Sequence, residues 1–211
     1  MDVTWLGGSC FRLQSGVVSV LTDPFDLPSP TGPLAADIVT LSTRDARDRV
    51  AVTGAFRLVD GPGEYEIKGV PVTGVATRRQ PTEGQEQAPP NFVYTIQMDG
   101  VIACHLGRMN RPPTSQEVQE IGAPDMLFVP LGEPQGLTVQ QAIALASQLE
   151  SKVLVPIFSA VDGQTALERF CRELGSDPNV RETKLSVSSS GLPATARAAV
   201  LSRQEPVGSG G

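Results

Sequence analysis

Histidine is nearly missing from this chain: His105 is the only one in 211 residues. Cysteine is hardly commoner, with Cys10, Cys104 and Cys171 far apart, odd in number and set among apolar neighbours. That supply excludes a His-rich or paired-Cys zinc centre, which needs several nitrogen or sulfur ligands. It also argues against a disulfide framework, and the three cysteines read as buried free thiols in a reducing cytoplasm. Long apolar runs are absent too: none approaches the ~18 residues of a membrane span. The opening MDVTWLGGSC has an acid at position 2 and no basic stretch of the kind that begins a signal peptide. Lysine is scarce, 3 against 14 arginines, and the net charge is −6. An acidic balance argues against nonspecific nucleic-acid binding and against an anionic membrane surface. The expectation is a cytoplasmic protein with no nucleic-acid or membrane partner.

What is present is a regular alternation of short strands and turns. A chain of 211 residues makes one large domain or two small ones and buries roughly 70% of its unfolded surface. Apolar runs between turn signals predict strands at Val3–Leu6, Cys10–Leu13, Val17–Thr22, Asp37–Ser42, Phe56–Val59, Glu64–Ile67, Val70–Val75, Phe92–Gln97 and Val101–His105. Asp99-Gly100 marks a hairpin, and Lys68-Gly69 a weaker one. Helices are predicted only in the second half. TSQE at 114–117 and TVQQ at 138–141 are capping boxes. Leu167, Phe170, Cys171 and Leu174 share one face of a third helix. DMLFVP (125–130) and KVLVPI (152–157) suit strands buried on both faces, and strands return at Lys184–Ser188 and Arg197–Leu201. Residues 79–91 and the tail EPVGSGG have the composition of mobile chain. Strands first, then strand–helix alternation, predict an α+β fold of two packed sheets with helices outside.

Several stretches then carry a resemblance. TWLGGSCFRL followed by LTDPF is similar to the opening of the metallo-β-lactamase superfamily, in its lactonase-like branch, where the pattern is W-L-G-H-S-C-F and then D-P-F. ADIVTLS resembles the strand that delivers that family's H-x-H-x-D-H metal motif. GPGEYEIKGVPVTGVAT, DGVIACHLG, DMLFVPLG and KVLVPI resemble its later landmarks, in the same order. The resemblance covers about residues 2–202 and implies a four-layer αββα sandwich, one domain over 1–203 with a flexible tail over 204–211, and a metal site at one edge of the paired sheets.

The same resemblance locates what has changed. The motif's first two histidines fall on Thr43 and Asp45, its aspartate on Arg47 and its last histidine on Asp48. The next histidine falls on Arg79, the bridging aspartate on Arg108, the final histidine on Phe158, and the outer histidine of W-L-G-H-S on Gly8. A guanidinium offers no lone pair to a metal. The resemblance without its ligands implies a catalytically inactive, cofactor-free pseudoenzyme of binding, assembly or regulatory role. A second reading is a hydrolase with a hard cation such as Mg2+ or Mn2+ on Asp45 and Asp48, with Asp23 as a further oxygen ligand. A third is a small-anion (phosphate or carboxylate) binder using Arg44, Arg47, Arg79, Arg108 and Arg111. The arginines either salt-bridge a plugged cleft, face an anion or point to solvent. In the plugged reading Asp45 or Asp48 pairs with Arg79, Arg108 or Arg47, and Phe158 fills the lost ligand's volume. The branch resembled often assembles, so a homo-oligomer with an exposed apolar patch is expected.

Other candidates read as structural. His105 ends an apolar strand and is expected to be hydrogen-bonded rather than catalytic. Cys104 points to the opposite sheet face by strand alternation, which separates the two as a dyad. Ser9 and Cys10 follow two glycines without a base nearby. GPGEYEIKG (61–69) lacks the Lys-Ser/Thr ending and following helix of a phosphate loop, so it reads as a turn into a hairpin.

Overall fold

A computed structural model describes residues 1–27, 34–82, 84, 86–132, 134–158 and 163–204. The tail expected to be flexible lies outside the described residues from 205 onward, as do 83 and 85 of the 79–91 segment.

Three strands open the chain as a meander: β1 (Asp2–Gly7), β2 (Cys10–Ser15) and β3 (Val18–Thr22). β4 (Ile38–Thr40) and β5 (Arg57–Val59) then join β3 in parallel, side by side. The second sheet begins with antiparallel β6 (Gly63–Ile67), β7 (Val70–Thr77), β8 (Asn91–Met98) and β9 (Val101–His105). It continues in parallel through β10 (Met126–Pro130) and β11 (Val153–Ile157), both buried along their whole length as their apolar runs require. Both two-residue hairpin turns use the left-handed region at each position, with φ 52° and 71° at Asp99 and Gly100 and 54° and 76° at Lys68 and Gly69. The lysine therefore accepts the same mirror turn that Asp-Gly favours.

Four short strands finish the sheets: β12 (Arg181–Glu182), β13 (Leu185–Ser186), β14 (Arg197–Ala198) and β15 (Val200–Leu201). β13 borders β1, β14 borders β11, and β12 pairs with β15. The strands expected at Lys184–Ser188 and Arg197–Leu201 are thus shorter than their apolar runs, and the second is split at Ala199. The helices are α1 (Ser115–Ile121), α2 (Val139–Gln148) and α3 (Gln164–Glu173). Thr114 and Glu117 cap α1 reciprocally, and Thr138 and Gln141 do the same for α2.

The main core lies between the sheets. Phe11, Leu13 and Ile38 of the first sheet meet Tyr94, Phe128 and Val155 of the second. Each such fully buried side chain contributes about 1.5–3 kcal/mol. On the other face of the second sheet, Val93, Cys104 and Leu127 pack against Leu145, Leu167 and Phe170 of the helices. The outer face of the first sheet is covered differently. Phe25, Val39 and Leu41 bury Ala46 of a 3-10 helix, Arg44–Arg49, so this layer of the αββα sandwich is a single short turn among the described residues.

Exposed large apolar side chains among the described residues are Val17 and Val180, singly placed. No helix among the described residues is long and apolar enough to cross a membrane.

Candidate functional site

One edge of the sandwich gathers the carboxyl ends of β4, β7, β9, β10 and β11. Cross-sheet bonds hold it together. The Phe92 amide donates to the Ser42 carbonyl at 2.8 Å, the Tyr94 hydroxyl to the Leu41 carbonyl at 2.9 Å, and His105 to the Ser9 carbonyl at 3.0 Å. A carbonyl only accepts, so His105 carries its proton on Nε2, and its buried Nδ1 has no partner among the described residues. Burial pushes the His105 pKa down, although Asp23 and the Ser9 bond pull the other way. This is the hydrogen-bonded structural histidine its strand position implies, with Cys104 on the opposite face.

Two buried polar side chains brace the edge. Asp23 accepts from the Ser42 amide at 2.7 Å and the Ser42 hydroxyl at 2.6 Å, tying the end of β3 to the end of β4. Asn91 is fully buried, accepts from the Arg108 amide at 2.7 Å, and donates to the Leu106 carbonyl at 3.0 Å and the Thr77 hydroxyl at 2.9 Å. Gly107 fits between them with φ 63°; a Cβ there would come within 2.5 Å of Ser42 Cβ and 2.6 Å of Asn91 Oδ1. The backbone position of Arg108 is thus set by close packing and a saturated amide side chain.

The candidate side chains on this edge do not converge as expected. Thr43 is buried at the start of the 3-10 helix, while Asp45 and Asp48 are exposed on it and form no ion pair among the described residues. The expected pairing of these acids with Arg79, Arg108 or Arg47 is therefore wrong. Arg47 is instead ion-paired at 2.5 Å with Asp60, which follows β5 of the same sheet as β4. Nor do Asp23, Asp45 and Asp48 make a cation site: no group of three or more His, Cys, Asp or Glu among the described residues could hold a metal.

Three of the five candidate anion-binding arginines are committed elsewhere. Arg44 donates to the Asp60 carbonyl at 3.0 Å and lies over the Phe92 ring, Arg47 holds Asp60, and Arg111 grips Glu117 with bonds of 2.9 and 2.7 Å. Arg79 and Arg108 make no ion pair among the described residues. Arg79 is half-buried and its Nε is a buried donor without a partner there. Desolvation, and then the nearby Arg108 charge, lower the Arg79 pKa.

Among the described residues the edge is open rather than plugged. A cleft of about 720 Å³ lies there, with Trp5, Leu131, Ile157 and Phe158 as apolar wall and Arg108, Arg203 and Asp26 as charged lining. Of the seven positions implied by the resemblance, Arg108 and Phe158 line it. Phe158 stands as a wall of it, tilted on Trp5 with ring centroids 5.7 Å apart and with the Arg181 guanidinium 5.7 Å from its own ring centroid. Arg203 was not among the candidates. It arrives from the far end of the chain, where the Gln204 amide donates to the Trp5 carbonyl at 2.7 Å, and no local signal marks it.

A two-sheet sandwich with its cleft at the carboxyl ends of the strands is the architecture of the metallo-β-lactamases. The chain belongs to the β-lactamase superfamily, whose domain profile matches residues 2–158. It is similar to a metal-dependent hydrolase of Methanoculleus marisnigri, 27% identical over 214 residues that span 88% of this chain and 94% of the relative. A metal-dependent hydrolase of Archaeoglobus fulgidus is 22% identical, spanning 74% and 82%. Among solved structures, a Thermotoga maritima protein assigned to the Zn-dependent hydrolases of this superfamily superposes with a TM-score of 0.74 at 28% identity, covering 95% of this chain and 97% of its own. A metallo hydrolase of Ignicoccus hospitalis shares the fold, with a TM-score of 0.64 at 17% identity, covering 97% and 96%.

Proposed function

We propose that this chain is a member of the superfamily that binds rather than hydrolyses, with the metal centre replaced by a cleft that works through arginine and aromatic side chains. The observation that carries this reading is the donor set. Where the resemblance puts metal ligands there are a buried threonine, two exposed carboxylates, three guanidiniums and a benzyl ring. Dications in such sites polarise the substrate and generate the nucleophile, and they require nitrogen or oxygen lone pairs converging on one point. The cleft wall offers Arg108 and Phe158 at those positions, and neither supplies one. Buried His105 does not substitute, because it lies between the sheets against Phe11 and Phe128 and is not part of the cleft lining.

The relatives named metal-dependent hydrolases suggest the competing activity, which is directly testable. Purified protein is to be assayed against a lactone, a carboxylic ester, a β-lactam and a phosphodiester, each with added Zn2+, Mn2+ or Mg2+. The expected outcome is no turnover that depends on the protein and the metal together. Saturable metal-dependent hydrolysis of any of the four, abolished by chelator, would overturn the reading.

A further inference from the structure

We propose that the cleft receives a small monocarboxylate with an apolar body, the carboxylate held by Arg108 and Arg203 and the body laid against Trp5 and Phe158. This rests on the metal-free reading of the cleft above. The charged lining among the described residues is Arg108, Arg203 and Asp26. Asp26 is already bonded to Arg49, whereas neither Arg108 nor Arg203 has an ion pair among the described residues. Arg79, without an ion pair among the same residues, lies near enough to feel the Arg108 charge and adds a further positive charge. Guanidiniums that have no ion pair among the described residues, beside an apolar wall, are matched by a planar anion that can accept from the fork of each.

The rest of the lining selects the ligand's body. A volume of about 720 Å³ is that of a small-molecule site, far larger than an inorganic ion needs. Trp5, Leu131, Ile157 and Phe158 would be left facing water by phosphate alone. The backbone that carries each arginine is firmly placed, at Arg108 by Asn91 and Gly107 and at Arg203 by its pairing with Trp5.

Trp5 is the only tryptophan in the chain, so its fluorescence reports the cleft without a label. The experiment titrates intact protein, in EDTA, with 3-phenylpropionate, octanoate, the neutral 3-phenylpropionamide and inorganic phosphate. A saturable change is expected with the carboxylates, and binding of the amide weaker by roughly tenfold or more, the value of a charge-assisted bond. Arg108→Gln and Arg203→Gln should each weaken the carboxylates by a similar factor and leave the amide unaltered. Phe158→Ala should weaken acid and amide alike. Equal binding of acid and amide, tighter binding of phosphate, or no response to either carboxylate at millimolar concentration overturns the proposal. Absence of binding both with and without EDTA defeats this inference alone, whereas binding that EDTA abolishes defeats the metal-free reading beneath it.

Discussion

Replacing Asn91 with leucine is expected to destabilise the protein by about 3–5 kcal/mol. The two side chains are close in size, so the loss is chiefly polar. Leucine strands the Arg108 amide, which Asn91 satisfies at 2.7 Å, and removes the bonds of 3.0 and 2.9 Å to the Leu106 carbonyl and the Thr77 hydroxyl, which keep only the Met109 amide at 3.3 Å and the residue-91 carbonyl at 3.2 Å. The stranded amide costs roughly 1–3 kcal/mol, and each of the two other lost bonds about 0.5–1.5 kcal/mol more. For a domain of this size a melting temperature falls by roughly 2–4 °C per kcal/mol, so a drop of about ten degrees is expected. The loop carrying Arg108 loses its anchor at the same time. Calorimetry of wild type and Asn91→Leu checks the first effect. A change of only a degree or two would show that the network at the head of β8 does not hold this edge.

Arg111→Ala is the second large effect. Arg111 and Glu117 are 16% and 11% exposed, and their bidentate pair is joined by the Thr114 amide at 2.6 Å and the Arg78 amide at 3.2 Å. One carboxylate therefore ties the loop after β7, the loop after β9 and the first turn of α1. Removing the guanidinium leaves that charge stranded, at a cost of about 3–5 kcal/mol. Burial alone would raise the Glu117 pKa, but the bonds from Arg111, Thr114 and Arg78 outweigh it and hold the carboxyl below its ordinary value. A lowered carboxylate pKa contributes stability that is full above the unfolded value, roughly 4.3, and is lost as pH falls through the folded one. The gap between wild type and Arg111→Ala should then be widest near neutrality and close in acid below about pH 4. Denaturant melts across that range measure it; a gap independent of pH would mean that packing, not charge, makes the difference.

Elements whose causes are local were legible in the sequence. The two capping boxes, the hairpin turns and the strands of the first hundred residues depend on neighbours within a few positions, and they stand where the pattern put them. The site was less legible because its causes are long-range. Asn91 closes a segment whose composition is that of mobile chain, yet it is fully buried at the start of β8. Glu117 was visible as a cap but not as the partner of Arg111 and of the Arg78 amide, 39 residues away. The arginine cluster was visible as composition, and composition cannot say that Asp60 and Glu117 take three of its members while Arg79 and Arg108 remain. Arg203 reaches the cleft from the opposite end of the chain through one backbone pairing, which no periodicity announces.

The central claim is that the cleft does its work without a metal. Elemental analysis of untagged protein, purified without chelator, exchanged against zinc and manganese and then gel-filtered, tests it most directly. The account predicts far less than one equivalent of either metal per chain, and a melting temperature that neither metal raises. One or two tightly held equivalents, with a melting temperature that rises on loading, would contradict it.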